Sequence, residues 1–290
     1  MTDLSLPQKK VKEKFSFLRF TGVVILQSAL YFFAVWFFAP AIWERQFAHG
    51  FLSVAATFIA ASLFNCFFEF FFHRYFLHMA PIAWLRNFEK QHRKHHGLTH
   101  VFRLNQGESK ELTPVRNRYP IVEEKQYEAS FFPYYALSLF LLFFTPLFLL
   151  VQLALPKAPV FLGGPLAVIW SYNLYEVGHA IEHFPYESWW RPKVLHPRFG
   201  RFWTKVYGFH LMHHANHLVN EAIGGFLLWF PLADFVFYTH KQPNKLLLDG
   251  TLASEEDFSA PPPRWPIRVL DRWIALIQKR QALARRSSTP

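Results

Sequence analysis

Sulfur is nearly missing from this sequence. Its 290 residues include one cysteine, Cys66, and three methionines. A disulfide within the chain is therefore impossible, and a zinc or iron–sulfur site built on thiolates is excluded. Cys66 lies inside an apolar run and reads as a small buried apolar residue. Carboxylates are also scarce, with 20 Asp and Glu against 31 Lys and Arg, for a formal net charge of +11. No glycine-rich dinucleotide fingerprint occurs. No Lys/Arg run is interleaved with stacking aromatics in a polar groove, so nucleic acid is not an expected partner.

Aromatic and apolar residues take up what is missing. Phe alone occurs 35 times, and the aromatic share is 19%. The charges are segregated from the Phe-rich runs, which is the pattern of membrane spans joined by polar segments rather than of a soluble core. Four runs are long enough to cross a bilayer, at about 20–42, 51–72, 131–155 and 159–179. The first is too long for the apolar region of a signal peptide and lacks a small-residue cleavage site, so it reads as a span. Residues 222–238 are apolar but short, interrupted by Pro231 and Asp234, and read as re-entrant or interfacial.

With four spans, every Lys and Arg except Arg45 and Lys157 falls on one side. The positive-inside rule makes that side cytosolic, together with both termini. The expected division is a basic cytosolic tail over 1–19, a membrane domain over 20–240 and a cytosolic tail over 241–290. In that last tail, Glu255, Glu256 and Asp257 followed by Pro261–Pro263 look like a linker. Beyond them Ile267, Leu270, Trp273, Ile274 and Ile277 share a helical face, with Arg268, Arg272, Lys279 and Arg280 largely elsewhere. That helix is either interfacial or docked on the cytosolic domain. The polar stretch 97–130 has no assignment beyond a lid or a headgroup contact.

Fifteen histidines are present, and ten form four clusters: His73 and His78; His92, His95 and His96; His179 and His183; His210, His213 and His214. Residues three or four apart share a helical face, so each of the last three clusters can direct its rings together. His73 and His78 are five apart, about 140° around an ideal helix. They converge only if the helix ends or bends between them, or if each serves a different ion. With four spans, all four clusters fall on the cytosolic side. His49, His196 and His240 read as ordinary structural histidines. His100 and His217 trail the second and fourth clusters and are expected near the site rather than as ligands. Ten imidazoles exceed what one ion can take, so two metal ions are implied, and two irons with about five ligands each and open positions for O2 fit the count. Glu69, Glu176 and Glu182 lie near the clusters. They are expected to orient imidazoles through the second ring nitrogen, the alternative for Glu69 being an ion pair with Arg74 or Arg93.

The segments HRYFLH (73–78), HRKHH (92–96), EVGHAIEH (176–183) and FHLMHH (209–214) resemble the fatty acid hydroxylase/sterol desaturase superfamily of membrane di-iron enzymes. The resemblance covers roughly Phe51 to Tyr238. It implies an all-α integral membrane fold, about four transmembrane helices in two hairpins under a cytosolic helical cap that carries a poly-histidine dimetal site. It also implies two iron ions and O2-dependent oxidation of a lipid C–H bond. Only thirteen residues separate His78 from His92, and the His179/His183 pair is additional to the boxes of acyl desaturases, so the hydroxylase branch is favoured. No cytochrome b5 haem motif is present, since His196-Pro197 is followed by Arg198 and Phe199. Electrons are thus expected from NAD(P)H through a separate reductase with cytochrome b5 or ferredoxin. The Phe67–Phe72 and Phe140–Phe144 stretches are candidate walls of a substrate slot. A lipid desaturase or a sterol- or carotenoid-modifying oxygenase is the alternative within this chemistry. A metal-binding membrane transporter is the alternative outside it.

Overall fold

A computed structural model of the chain describes residues 16–79, 86–104 and 111–287. Most of the expected basic tail, 1–15, lies outside the described residues. The molecule is mostly helical. Helix α1 (Phe17–Phe38) begins where the Ser16 hydroxyl accepts a hydrogen bond from the Arg19 amide at 3.3 Å. A short helix α2 (Pro40–Arg45) turns the chain into α3 (Gly50–Phe71), which continues without a break as a π-helical turn over Phe72–Leu77. Helices α4 (Arg86–Leu98) and α5 (Glu124–Ala129) follow. Next come α6 (Ala136–Ala154) and α7 (Val160–Glu182), then α8 (Arg191–Val194) and α9 (Gly200–Ala215), and last α10 (Leu232–Phe237), α11 (Glu255–Phe258) and α12 (Trp265–Ser287).

Among the described residues, three helical stretches are long and apolar enough to cross a membrane: Phe17–Phe38, Gly50–Leu77 and Ala136–Ala154. Helix α7 is as long but carries Ser171, Asn173, Glu176, His179 and Glu182, and it is sheltered. It packs mainly on α3 and then on α6, and Gly163, Gly164, Ala167 and Val168 are buried there. The helices are tied by polar clasps within the apolar layer. Gln27 accepts from the Ser138 amide and hydroxyl and donates to the Tyr134 carbonyl at 2.7 Å. Tyr31 meets Thr145 at 3.1 Å, and Asn65 donates to Ser171 at 3.2 Å. Such bonds fix helix pairs where the hydrophobic effect gives no preference.

The expected helical fold carries a small sheet as well. Strands β1 (Val101–Arg103), β2 (Thr113–Asn117) and β3 (Leu252–Ala253) form a three-stranded antiparallel sheet, with Phe102 opposite Arg116 and Pro114 opposite Leu252. Val101, Thr113 and Val115 alternate inward with period two, the mark of a half-buried strand. The sheet gives part of the unassigned 97–130 stretch a role and pairs it with the C-terminal region.

Residues from both sides of 240/241 share one core. Leu247, Ala253 and Val101 belong to one buried cluster with Tyr119, Trp190, Tyr207 and Leu211. The stretch 255–258 is not bare linker but the helix α11, capped reciprocally by Ser254 and Asp257. Helix α12 docks through Ile267 on Cys66 and Phe70 of α3, a burial that contributes about 2 kcal/mol. Ile267 and Ile274 face inward, but Trp273, expected on the same face, is 59% exposed. The 222–238 segment forms no span-length helix. It folds back on itself through a Phe226–Phe230 bridge and leans on α3 through α10.

A buried charge cluster joins these parts. The Arg74 guanidinium, 2% exposed, donates to Glu221 at 2.9 Å, to Asp271 of α12 at 2.7 Å and to the Leu218 carbonyl at 3.0 Å. Tyr75 donates to the same Asp271 at 2.9 Å. Removing one partner leaves a buried cation short of acceptors. Asp271→Ala should therefore destabilise the protein by about 1–3 kcal/mol and expose α12 to protease well before the rest of the chain. Thermal melting with limited proteolysis checks this, and an unchanged cleavage pattern would contradict the clamp.

Candidate metal centre

The ten clustered histidines meet at one place. His73, His78, His92, His96 and His213 form one set, and His95, His179, His183, His210 and His214 form a second. Within each set the ligand-type nitrogens all lie within 4.8 Å of one another. The sets abut, for the His96 ring of the first stacks on His214 of the second at 4.2 Å between centroids.

The π-helical turn resolves the first pair. An i→i+5 bond from the His78 amide to the His73 carbonyl, 3.2 Å, widens the turn. Residues five apart then lie about one turn apart, and both rings enter the same set. The H-x-x-H-H segments behave differently from the simple face rule. In α4, His92 and His96 enter the first set and His95 crosses to the second. In α9 the assignment is reversed, with His210 and His214 in the second set and His213 in the first. Residues four apart share a set and the one between them serves the other. His179 and His183, also four apart at the end of α7, complete the second set.

The tautomers follow from what the other ring nitrogen touches. A carbonyl can only accept, so Nδ1 carries the proton where it faces one. His73 donates to the Glu221 carbonyl at 2.7 Å, His183 to Tyr119 at 2.6 Å, His213 to Val219 at 2.7 Å and His214 to Thr99 at 3.1 Å. His95 donates to the Ser130 hydroxyl at 2.8 Å, because that hydroxyl itself donates to the Gln126 carbonyl. On these five rings Nε2 is a bare lone pair.

Those lone pairs are directed at other nitrogens. In the second set the Nε2–Nε2 distances are 3.1 Å for His95–His179, 3.2 Å for His179–His183, 3.2 Å for His183–His210 and 3.1 Å for His210–His214. One proton on each of His179 and His210 could bridge at most two of these four contacts, and the other two close nitrogen pairs would have no hydrogen between them. In the first set His92 Nε2 lies 2.9 Å from His73, 3.2 Å from His78 and 3.1 Å from His96. A cation at the centre turns this repulsion into coordination. Metal–imidazole bonds of about 2.1 Å with adjacent ligands at right angles put neighbouring nitrogens about 3.0 Å apart. Five such nitrogens leave one position of an octahedron open. Either set could hold a metal ion.

The carboxylates expected to orient the imidazoles mostly do other work. Glu69 accepts from the Gly224 and Gly225 amides at 2.7 and 3.2 Å and so pins the 222–238 loop to α3. It pairs with neither Arg74 nor Arg93, which bind Asp271 and Glu221, and Glu89. Glu176 accepts from the Phe132 amide at 3.4 Å. Glu182 comes nearest the expected role, 3.9 Å from His210 Nδ1. Backbone carbonyls replace them because every backbone already brings an acceptor that needs a partner when buried. Glu221 had no signal in the sequence. It lies 3.5 Å from His73 Nδ1, and Asp234 holds its turn by accepting from the Glu221 and Ala222 amides, both at 2.9 Å. Thr99 and Ser130 were also missed, although Thr99 follows His95 by one helical turn. His217 stacks on His78 at 5.2 Å without entering a set, and His100 stacks on Phe102 outside it.

Two cavities meet at this centre. One runs between α3, α6 and α7, walled by Phe68, Phe72, Phe140, Phe144 and Tyr172, with His73 at its head. The other lies on the α4 side, lined by Phe88, Gln91, His92, Ser130 and Tyr135. Leu77, Phe132 and Tyr175 line both. Of the candidate wall residues, Phe70 and Phe71 turn away toward Phe237, and Phe143 is largely exposed.

Comparison with known proteins gives no match to a protein-family model, a curated protein or a solved structure.

Burial pushes the His95, His210, His213 and His214 imidazoles well below their ordinary value, with neighbouring imidazoles adding to the effect, and pushes His183 from 6.5 down to about 3. The rings are thus neutral at neutral pH, the state in which an imidazole can bind a metal. In the unfolded chain they protonate near 6.5, while the folded rings resist. Below 6.5 the unfolded chain binds more protons, so stability falls with pH until the folded values are reached. The melting temperature of the metal-free protein should drop steadily as pH is lowered from about 7 to about 5. A flat profile over that window would contradict buried, neutral imidazoles.

Proposed function

We propose that the chain is a membrane di-iron oxygenase that hydroxylates a C–H bond of a membrane lipid, fatty acyl or related, as its resemblance to the fatty acid hydroxylase/sterol desaturase superfamily implies. One observation carries this reading: His73, a member of the first five-imidazole set, stands at the head of an apolar cavity that runs between α3, α6 and α7. A metal-ligating ring at the end of a slot for an aliphatic chain places oxidising chemistry against an unactivated carbon.

Two irons bound by the two sets would supply activation of O2 and abstraction of hydrogen from that carbon. The chain's own residues do the rest. The Phe walls align an aliphatic chain and keep water away. The carbonyls of Glu221, Tyr119, Val219 and Thr99 hold protons on Nδ1 and so keep Nε2 free. Tyr175 packs against His179 at 5.6 Å and against His73 at 6.3 Å. It touches both sets and lines both cavities, so it limits how far a chain can pass between them.

In this reading α7 is a fourth span, both termini and the metal centre are cytosolic, and electrons arrive from NAD(P)H through a separate electron-transfer protein. The ligands argue against a transporter, because transporters place their ions midway across the membrane on broken helices. Here the ligands stand at or past the ends of α3 and α7.

Mass spectrometry of lipids from cells making the intact chain beside a His210→Ala control tests the reading. A species that gains one oxygen only with the intact chain is the expected result. A species that loses two hydrogens would replace hydroxylase by desaturase, and unchanged lipids despite two bound irons and a supplied reductase would overturn the proposal. Val168→Phe narrows the slot from α7, eleven residues before His179 and so about three helical turns away. It should leave metal content unchanged and shift activity several-fold toward shorter chains.

A further inference from the structure

Helix α12 has two apolar faces, and the fold buries one. Ile267 and Ile274 point inward, Asp271 is held by Arg74, and Gln278 donates to the Met79 carbonyl. On the opposite side Trp265, Val269, Trp273, Leu276 and Leu283 form a second stripe, spaced four, four, three and seven residues apart, and all are 47–70% exposed. No described residue covers them. Arg268, Arg272, Lys279 and Arg280 are exposed around this stripe. Asp271, the one carboxylate of the helix, is turned the other way. The outward surface is therefore apolar and cationic, with no anion.

We propose that this outer face lies in the boundary between headgroups and acyl chains of the bilayer that the spans cross, and that it contacts anionic lipid there. Depth is the first argument. Ile267 packs on Phe70 and Cys66, in the last turns of a helix apolar enough to cross a membrane, so the stripe begins at the level of the apolar layer. Continuity is the second. Arg264 stacks on Tyr238 at 4.3 Å and its amide donates to the Phe237 carbonyl at 2.9 Å. Tyr238, Phe235, Phe230 and Leu228 are themselves 45–64% exposed, so the stripe extends an apolar rim. Composition is the third. Tryptophan and tyrosine favour the interface, and Lys and Arg near the surface attract anionic headgroups. The face would hold the cap at a fixed height over the bilayer, because the same helix grips Arg74 beside His73. The proposal is independent of the reaction.

The test uses the full chain reconstituted into phosphatidylcholine bilayers with and without phosphatidylglycerol. Single cysteines replace Val269, Trp273 or Leu276, with Ala275 and Arg201 as exposed controls, and each carries a fluorophore. Cys66 is 1% exposed and stays unlabelled. Variants are compared only where metal content and elution profile match the parent. Labels at 269, 273 and 276 should be quenched several-fold more by a lipid-borne quencher than the controls, and shielded from iodide. Labels at 273 and 276 as open to iodide as those at 201 would overturn the proposal. Shielding from both quenchers would also overturn it, because a protein would then cover the face. Arg268→Glu with Arg272→Glu should weaken lipid quenching in the anionic bilayer and not in the neutral one. Equal behaviour in both would remove the anionic preference.

Discussion

Imidazole lone pairs held about 3 Å from one another in a buried site repel, and a folded chain gains nothing from them without a cation between. The rest of the structure is arranged around that constraint. Five of the ten rings have their protons fixed on the outer nitrogen by carbonyls or by a hydroxyl that is itself committed elsewhere. The inner nitrogens are left with nothing to bind but each other or a metal. Burial then keeps the rings neutral, which is the state a metal needs.

Helical geometry delivers the rings in two ways. Residues four apart bring pairs into one set, in α4, α7 and α9. The histidine between such a pair in α4 and α9 crosses to the other set, and the crossing is reciprocal. This interleaving couples the two sites mechanically, since neither helix can shift without disturbing both. The π-helical turn at the end of α3 adds the pair that an α-helix could not. It is held from outside by Arg74, whose partners come from the loop before α10 and from α12. The C-terminal helix is thus part of the frame that holds the histidine cluster.

Much of this was legible in the sequence because it depends on local periodicity. Long apolar runs fixed the helices from Phe17 to Phe38, Gly50 to Phe71, Ala136 to Ala154 and Val160 to Glu182 to within a few residues. The ten histidines were legible by type and spacing. Their division into sets was not, because whether His95 or His213 crosses over depends on how α4 and α9 face each other. For His73 and His78 the sequence left open a helix end, a bend or service to different ions, and the π-helical turn decides among them. The outer partners escaped for a different reason. Glu69, Glu176 and Glu182 were the natural candidates by proximity in sequence. The carbonyls of Glu221, Tyr119, Val219 and Thr99 belong to backbone, which leaves no signature in residue type. The sheet was hidden because β1 and β3 are three and two residues long, and β3 reaches its partner β2 only across the chain between Thr113 and Ala253.

X-ray absorption of the purified protein at the iron edge tests the central claim most directly. Two irons per chain, each with about five nitrogen neighbours at about 2.1 Å and no sulfur, is the predicted result. A folded, metal-free protein that binds no iron on reconstitution, or one ion with four ligands, would contradict the two five-imidazole sites.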